Sequence, residues 1–286
     1  MANSGYVHVY VPQKITPDEF QIGMMLPFTY TNEQIAAAVI DHVMRRGEDQ
    51  TPKQKQGIKR FKDNGSWNLG AGRDNLTDLK KFFDIFNDVF FNGLLTGFCR
   101  LEFKSDYWMT RHATAGTDGF CEMIYPGYQS DRRIRNKDPV VLIALNSSID
   151  EPRPANYMTR CLDNLAHEML HAIFLIYARP SKSDPGHPLA WHAAAYAIKQ
   201  RTKTRNVADP LLGLDLHFKR HLCMASDVQD EGANIPSASE LRRVGLNIKI
   251  ILAHLYNFRS WRSVETGPKK YFKRNTCIRS HWTFDS

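Results

Sequence analysis

Ala166-His167-Glu168-Met169-Leu170-His171-Ala172 is a His-Glu-x-x-His pattern set in an apolar run. On an α-helix, residues four apart sit one above the other on one face. His167 and His171 can therefore aim both imidazoles at a single metal ion. Glu168 stands beside them, within reach of a water on that ion without being a ligand itself. Two nitrogen ligands and an adjacent general base are the working parts of a zinc hydrolase.

The flanking residues decide between a metal site and a pair of solvated histidines. Met158, Cys161, Leu162, Leu165, Ala166, Met169, Ile173 and Ile176 recur at spacings of three and four, one stripe of a helix. His167 and His171 fall opposite that stripe, yet Leu170, Phe174 and Leu175 make their side apolar too. A helix apolar on both sides is buried, and buried histidines need partners.

A hydrolytic zinc site takes three protein ligands and keeps one position for water. Phe174 and Tyr177 occupy the places where a closely following glycine and histidine would stand, and Glu231, Glu240 and Glu265 lie far downstream. The helix should end near Ala178-Arg179-Pro180, and Ser181 to Gly186 reads as a loop. Pro188 then suits the first position of a new helix through Ala193-Ala194-Ala195 to the basic run Lys199–Arg205. That layout can fold His187 back over His167 and His171, which makes it the natural third ligand, with His192 and Asp184 as competitors.

Upstream, Asp78–Phe91 carries Leu79, Phe82, Phe83, Phe86, Val89 and Phe90 on one stripe and stops at Asn92-Gly93, an amphipathic helix. Gly97–Lys104 and Trp108–Cys121 read as strands, the second bent or closely approached at Gly116 and Gly119. Pro139–Leu145 reads as a buried strand. This order predicts an α+β fold, a small, mainly antiparallel sheet packed on helices. Near the N-terminus, Tyr6–Val11 suggests an edge strand and Thr31–Arg46 a helix capped by Thr31. Gly47–Asn75, rich in Gly, Lys, Gln and Asn, reads as a mobile linker. A helix from Ser237 or Ser239 to about Phe258 has Leu241, Val244, Ile248, Ile251, Leu252 and Leu255 on one face. The expected division is an N-terminal extension over 1–75, a catalytic domain over 76–205 and a helical, basic region over 206–286.

With 286 residues the chain can bury a full core. Its five cysteines form no C-x-x-C pair, which argues against a disulfide framework or a cysteine zinc ribbon and for a reducing compartment. No signal peptide is evident, and no apolar run approaches the length that crosses a bilayer, so the expectation is an intracellular protein without a membrane partner. The formal charge of +8 suits a polyanion. Arg259, Trp261, Arg262, Lys269, Lys270, Tyr271, Phe272, Lys273 and Arg274 mix cations for phosphates with rings that stack on bases. Together with the run 199–205 they suggest DNA as a partner and the nucleus as the location.

Four stretches resemble the SprT-like metalloproteases, the Spartan-like family, in the family's order. Asn87-Asp88-Val89-Phe90-Phe91-Asn92-Gly93-Leu94 resembles the opening helix, and Thr114-Ala115-Gly116 with Gly119-Phe120-Cys121 the strand segment. His167–Ala172 is similar to the zinc helix, and Gly186-His187 followed by Trp191 to the third-ligand motif. The likeness covers roughly residues 76–200. It implies a zinc-dependent endopeptidase in which His167, His171 and His187 hold Zn2+ and Glu168 is the catalytic base, acting on a protein substrate, in Spartan-type members one crosslinked to DNA. The insert Tyr125–Asp138 is longer than the family's spacing leads one to expect. Tyr177, Tyr196 and His192 are candidates for stabilising an oxyanion, and the strand at Thr114-Ala115-Gly116 for pairing with an extended peptide. The other reading is a nucleic-acid-binding protein with a structural, non-catalytic zinc site.

Overall fold

A computed structural model describes residues 14–63, 76–105, 118–124, 140–147, 157–179, 186–203, 210–230 and 232–264. Among them are eight α-helices and three strands: α1 Asn32–Val43, α2 Pro52–Asp63, α3 Leu76–Phe91, β1 Cys99–Lys104, β2 Gly119–Met123, β3 Val141–Asn146, α4 Tyr157–Tyr177, α5 Leu189–Thr202, α6 Arg220–Asp230, α7 Ala238–Arg243 and α8 Ile248–Val264. The α+β architecture expected from the sequence is present. The strand expected at 6–11, the insert 125–138, Thr114-Ala115-Gly116, Asp184 and the tail beyond 264 lie outside the described residues.

The sheet is mixed rather than mainly antiparallel. Its order is β1-β3-β2, with β1 parallel and β2 antiparallel to β3. Parallel neighbours need a crossover between them, and here that crossover carries β2, laid on the far side of β3. β3 is buried along its whole length. Val141, Ile143 and Leu145 join the main core, while Leu142 and Ala144 meet Phe120 on the other face. That is the period of two expected of a strand buried on both sides.

α4 is the axis of the main core. It packs on β2 and β3 and against α1, α3 and α5. Leu162, Leu165, Ala166, Met169, Leu170, Ile173 and Ile176 are all essentially inaccessible, as a stripe on each side of the helix requires. Its terminal carbonyls are satisfied from the N-terminal segment. Phe28 N–H donates to Ile176 O, and the Thr29 and Tyr30 amides donate to Tyr177 O.

Two expectations about helices need correcting. The segment from Gly47, read as a linker, holds a 3-10 turn at Gly47–Asp49 and then α2. Thr51 and Gln54 form the reciprocal pair that starts a helix: Gln54 N–H donates to Thr51 Oγ1 (3.2 Å) and Thr51 N–H to Gln54 Oε1 (3.2 Å). Gln54 is also buried, its Nε2 donating to His42 O and Val89 O at 2.9 and 3.2 Å. In the C-terminal region the single helix is two, α7 and α8, broken at Gly245. Gly245 has φ +65°, and a side chain there would run into the Tyr196 ring at 2.4 Å. The stripe residues Leu241, Val244, Ile251 and Leu255 still pack together, joined by Met224 and Ala225 of α6 in a second, smaller core.

Candidate metal centre

α4 places His167 and His171 one turn apart on the face opposite its main stripe, with ring centroids 4.9 Å apart. The chain then turns back, and His187, two residues before α5, enters from the side. Pro188 is the N-cap of α5 rather than its first residue. The three Nε2 atoms converge: His171 lies 3.1 Å from His167 and 3.1 Å from His187, and the last two are 3.4 Å apart. All three rings are buried, at 2–4% exposure. The indole of Trp191, one turn into α5, closes the group from one side. It stacks on His171 (centroids 5.2 Å, 26°) and lies 4.7 Å from both other rings.

These contacts can be tested against a cation. Nitrogen ligands at about 2.0–2.1 Å around a tetrahedral ion stand about 3.3 Å from one another. The observed spacings bracket that value. Hydrogen-bond partners on the far side of two rings point the same way. His167 Nδ1 lies 3.2 Å from Phe218 O, and His187 Nδ1 lies 3.0 Å from Asp227 Oδ1. A carbonyl and a carboxylate only accept, so both Nδ1 atoms carry a proton and Nε2 is the nitrogen that each ring turns to the centre. One cation placed among them meets all three Nε2 atoms at once. The residues present therefore fit a metal ion, and the His167-His171-His187 group could hold one.

Glu168 is buried against the sheet. A Cβ added to Gly119, the first residue of β2, would lie 3.1 Å from Glu168 Oε1 and 3.2 Å from its Cγ. The close backbone approach read at Gly119 is thus made to this carboxyl. Burial pushes the Cys121 thiol well up, and the Glu168 charge adds to it.

Other sequence candidates are placed elsewhere. His192 is buried with neither ring nitrogen hydrogen-bonded among the described residues, its ring 6.1 Å from His187. Burial first, then His187 and Arg220, hold it well below the usual histidine range, so it stays neutral. Tyr177 donates its hydroxyl to Leu94 O at 3.0 Å in the core. The Tyr196 ring lies under the Arg220 guanidinium, 4.9 Å from its centroid.

The surroundings also contain groups that sequence reasoning missed. Asp163 Oδ1 accepts the amides of His217 (2.6 Å) and Phe218 (2.9 Å), holding the loop whose carbonyl meets His167. Phe218 and Lys219 both have positive φ, +57° and +45°. For non-glycine residues each such conformation costs about 1–2 kcal/mol, and strain of this kind concentrates at functional sites. Lys219 pairs with Asp118, next to β2, which also meets Arg160 at 3.5 Å. Asp163 could have been noticed, since 163, 167 and 171 share one face. Asp227, 40 residues from His187, leaves no local signal.

Comparison of the chain with protein-family models, with curated proteins and with solved structures returns no match.

Proposed function

We propose that this chain is a zinc-dependent endopeptidase of SprT-like type. The observation that carries the proposal is the convergence of three Nε2 atoms within 3.4 Å, two of them on the helix that also carries Glu168. Three neutral imidazoles suit zinc well among the available divalent cations. Zinc in such a site supplies Lewis acidity toward a carbonyl oxygen and brings the pKa of a water toward about 7.

The remaining steps belong to the chain. Glu168 takes a proton from the attacking water on a carboxyl oxygen and delivers it to the leaving amine nitrogen. Its burial beside Gly119 supports a site for that exchange at the start of β2. Among the described residues β2, like β1, is an edge of the sheet, so an extended peptide can add to it by main-chain hydrogen bonds. Recognition of that kind tolerates many sequences and leaves selectivity to recruitment. The charge of +8 and the basic runs at 199–205 and 259–274 support proteins on DNA as the substrate class and a nuclear location.

A structural zinc in a nucleic-acid-binding protein is the second reading, favoured by the near-complete burial of the three ligand rings. One experiment separates the two. Zinc-loaded protein is incubated with a histone, with and without single-stranded DNA, beside Glu168→Gln. The peptidase reading expects cleavage by the wild type and a rate lower by about 10²–10⁴-fold in the variant, with zinc retained at one per chain. Equal cleavage by both would remove Glu168 from its role, and salt-sensitive DNA binding without cleavage would favour the second reading.

A further inference from the structure

The Nδ1 sides of His167 and His187, and with them the way each ring faces the centre, are both set from outside by one stretch of chain. His187 is gripped twice by Asp227 of α6: its ring Nδ1 lies 3.0 and 3.2 Å from the two carboxylate oxygens, and its backbone N–H donates to Oδ2 at 2.9 Å. His167 is met by Phe218 O at 3.2 Å, in a loop fixed by Asp163. We propose that Asp227 is a positioning residue of the metal centre. It holds His187 in the tautomer that ligates, so α6 is a working part of the site rather than an appendage behind it.

The inference rests on the metal-binding reading above but not on peptidase activity. An imidazole that carries its proton on Nε2 directs an N–H at the ion and cannot ligate it. Asp227 removes that option in two ways. The carboxylate accepts from Nδ1–H and so favours the Nδ1 tautomer, and its bond to the His187 amide stops the backbone from rotating the ring away. The carboxylate is itself buried, so the charge-assisted bond is not screened by solvent. Asp163 does the equivalent for His167 indirectly, through the two amides that aim the Phe218 carbonyl.

The test compares the full chain with Asp227→Asn and Asp227→Ala. Zinc affinity is read by competition with a chromophoric chelator, and the protonated ring nitrogen of His187 by 15N-histidine NMR of the metal-free proteins. Asn keeps the shape but puts an NH2 donor where one carboxylate oxygen stood, so that a donor faces either the ring Nδ1–H or the backbone N–H of His187. Zinc affinity should fall about 10- to 100-fold in both variants. The Nε2–H tautomer of His187 should appear in Asp227→Asn, with its metal-free melting temperature near that of the wild type. Zinc binding by Asp227→Asn within twofold of wild type would overturn the role. So would an affinity loss in which the tautomer is unchanged and the metal-free protein melts early, because Asp227 would then only hold α6 in place. A wild-type chain that takes up no zinc overturns the metal-binding reading itself, a different outcome from either.

Discussion

His42 shows what a buried imidazole costs when no ion is there to meet it. It is 1% exposed, its ring nitrogens make no side-chain hydrogen bond among the described residues, and it sits beside the Phe20 ring at 5.4 Å. Burial, and then the nearby Arg45, push it down to about 3 from 6.5, a shift that the carbonyls of Asp88 and Val89 only partly oppose. Between those values the unfolded chain binds a proton that the folded chain refuses, so stability falls as pH drops below about 6.5 and is unaffected above it. At pH 5 the loss is about 2 kcal/mol. Urea unfolding of His42→Leu should be less pH-dependent than wild type by that amount between pH 7 and 5; parallel slopes would show that His42 does not carry the effect. Gly119 makes the opposite point, that an absent side chain can matter. Its added methyl in Gly119→Ala meets Leu145 at 3.0 Å and Glu168 Oε1 at 3.1 Å. On the proposed peptidase reading, turnover should fall at least tenfold while zinc stays bound, because the carboxyl moves and the three imidazoles do not. Loss of zinc together with turnover would argue that the damage is general.

At the scale of elements, what could be read in advance was what the chain encodes locally. α4 announces itself through residues three and four apart, and α3 through its phenylalanine stripe ending at Asn92-Gly93, where both residues indeed have positive φ. β3 is a continuous apolar run, and its burial follows. α2 was missed because its composition is that of a solvated segment, although Thr51-Pro52-Lys53-Gln54 has the spacing of a capping box. The direction of β1 relative to β3 was not legible, since pairing depends on what the intervening crossover does. Nor was the Phe218–Lys219 pair, whose partners Asp163, at the Phe218 amide, and Asp118, at the Lys219 ammonium, are respectively 55 and 101 residues away in the chain. Gln54 gives this scale its prediction. It starts α2 and ties it to α1 and α3 through two carbonyls, so Gln54→Ala should cost about 3 kcal/mol, read as a lower denaturant midpoint with unchanged slope. A change under 1 kcal/mol would mean that α2 is held by its apolar contacts alone.

Across the whole molecule, the candidate centre lies where two cores meet. The larger runs from α1 through the sheet and α4 to Leu211, Leu212, Leu216 and Phe218; the smaller joins α6, α7 and α8. α5 belongs to both, with Trp191, Ala194 and Ile198 in the first and Leu189 and Ala193 against the second. His167 and His171 come from a helix of the larger core and His187 from the residues just before α5, while Asp227 comes from the helix that opens the smaller one. A bound ion therefore ties the two together through His187, and its loss should be felt unevenly. Any ion that binds only the folded chain stabilises it by about 2.7 kcal/mol at a free concentration one hundred times its dissociation constant. For a domain of this size that corresponds to roughly 5–11 °C in melting temperature. Stripping zinc with a chelator should produce a drop of that order, reversed by adding zinc back. Amide exchange should quicken first at Gly186, His187 and residues 217–230, and least in α1 and α3, which contribute none of the three imidazoles. No such drop in a chain shown to release one zinc would mean that the three imidazoles are already held as firmly without the ion, and a uniform increase in exchange would mean that the two cores unfold as one.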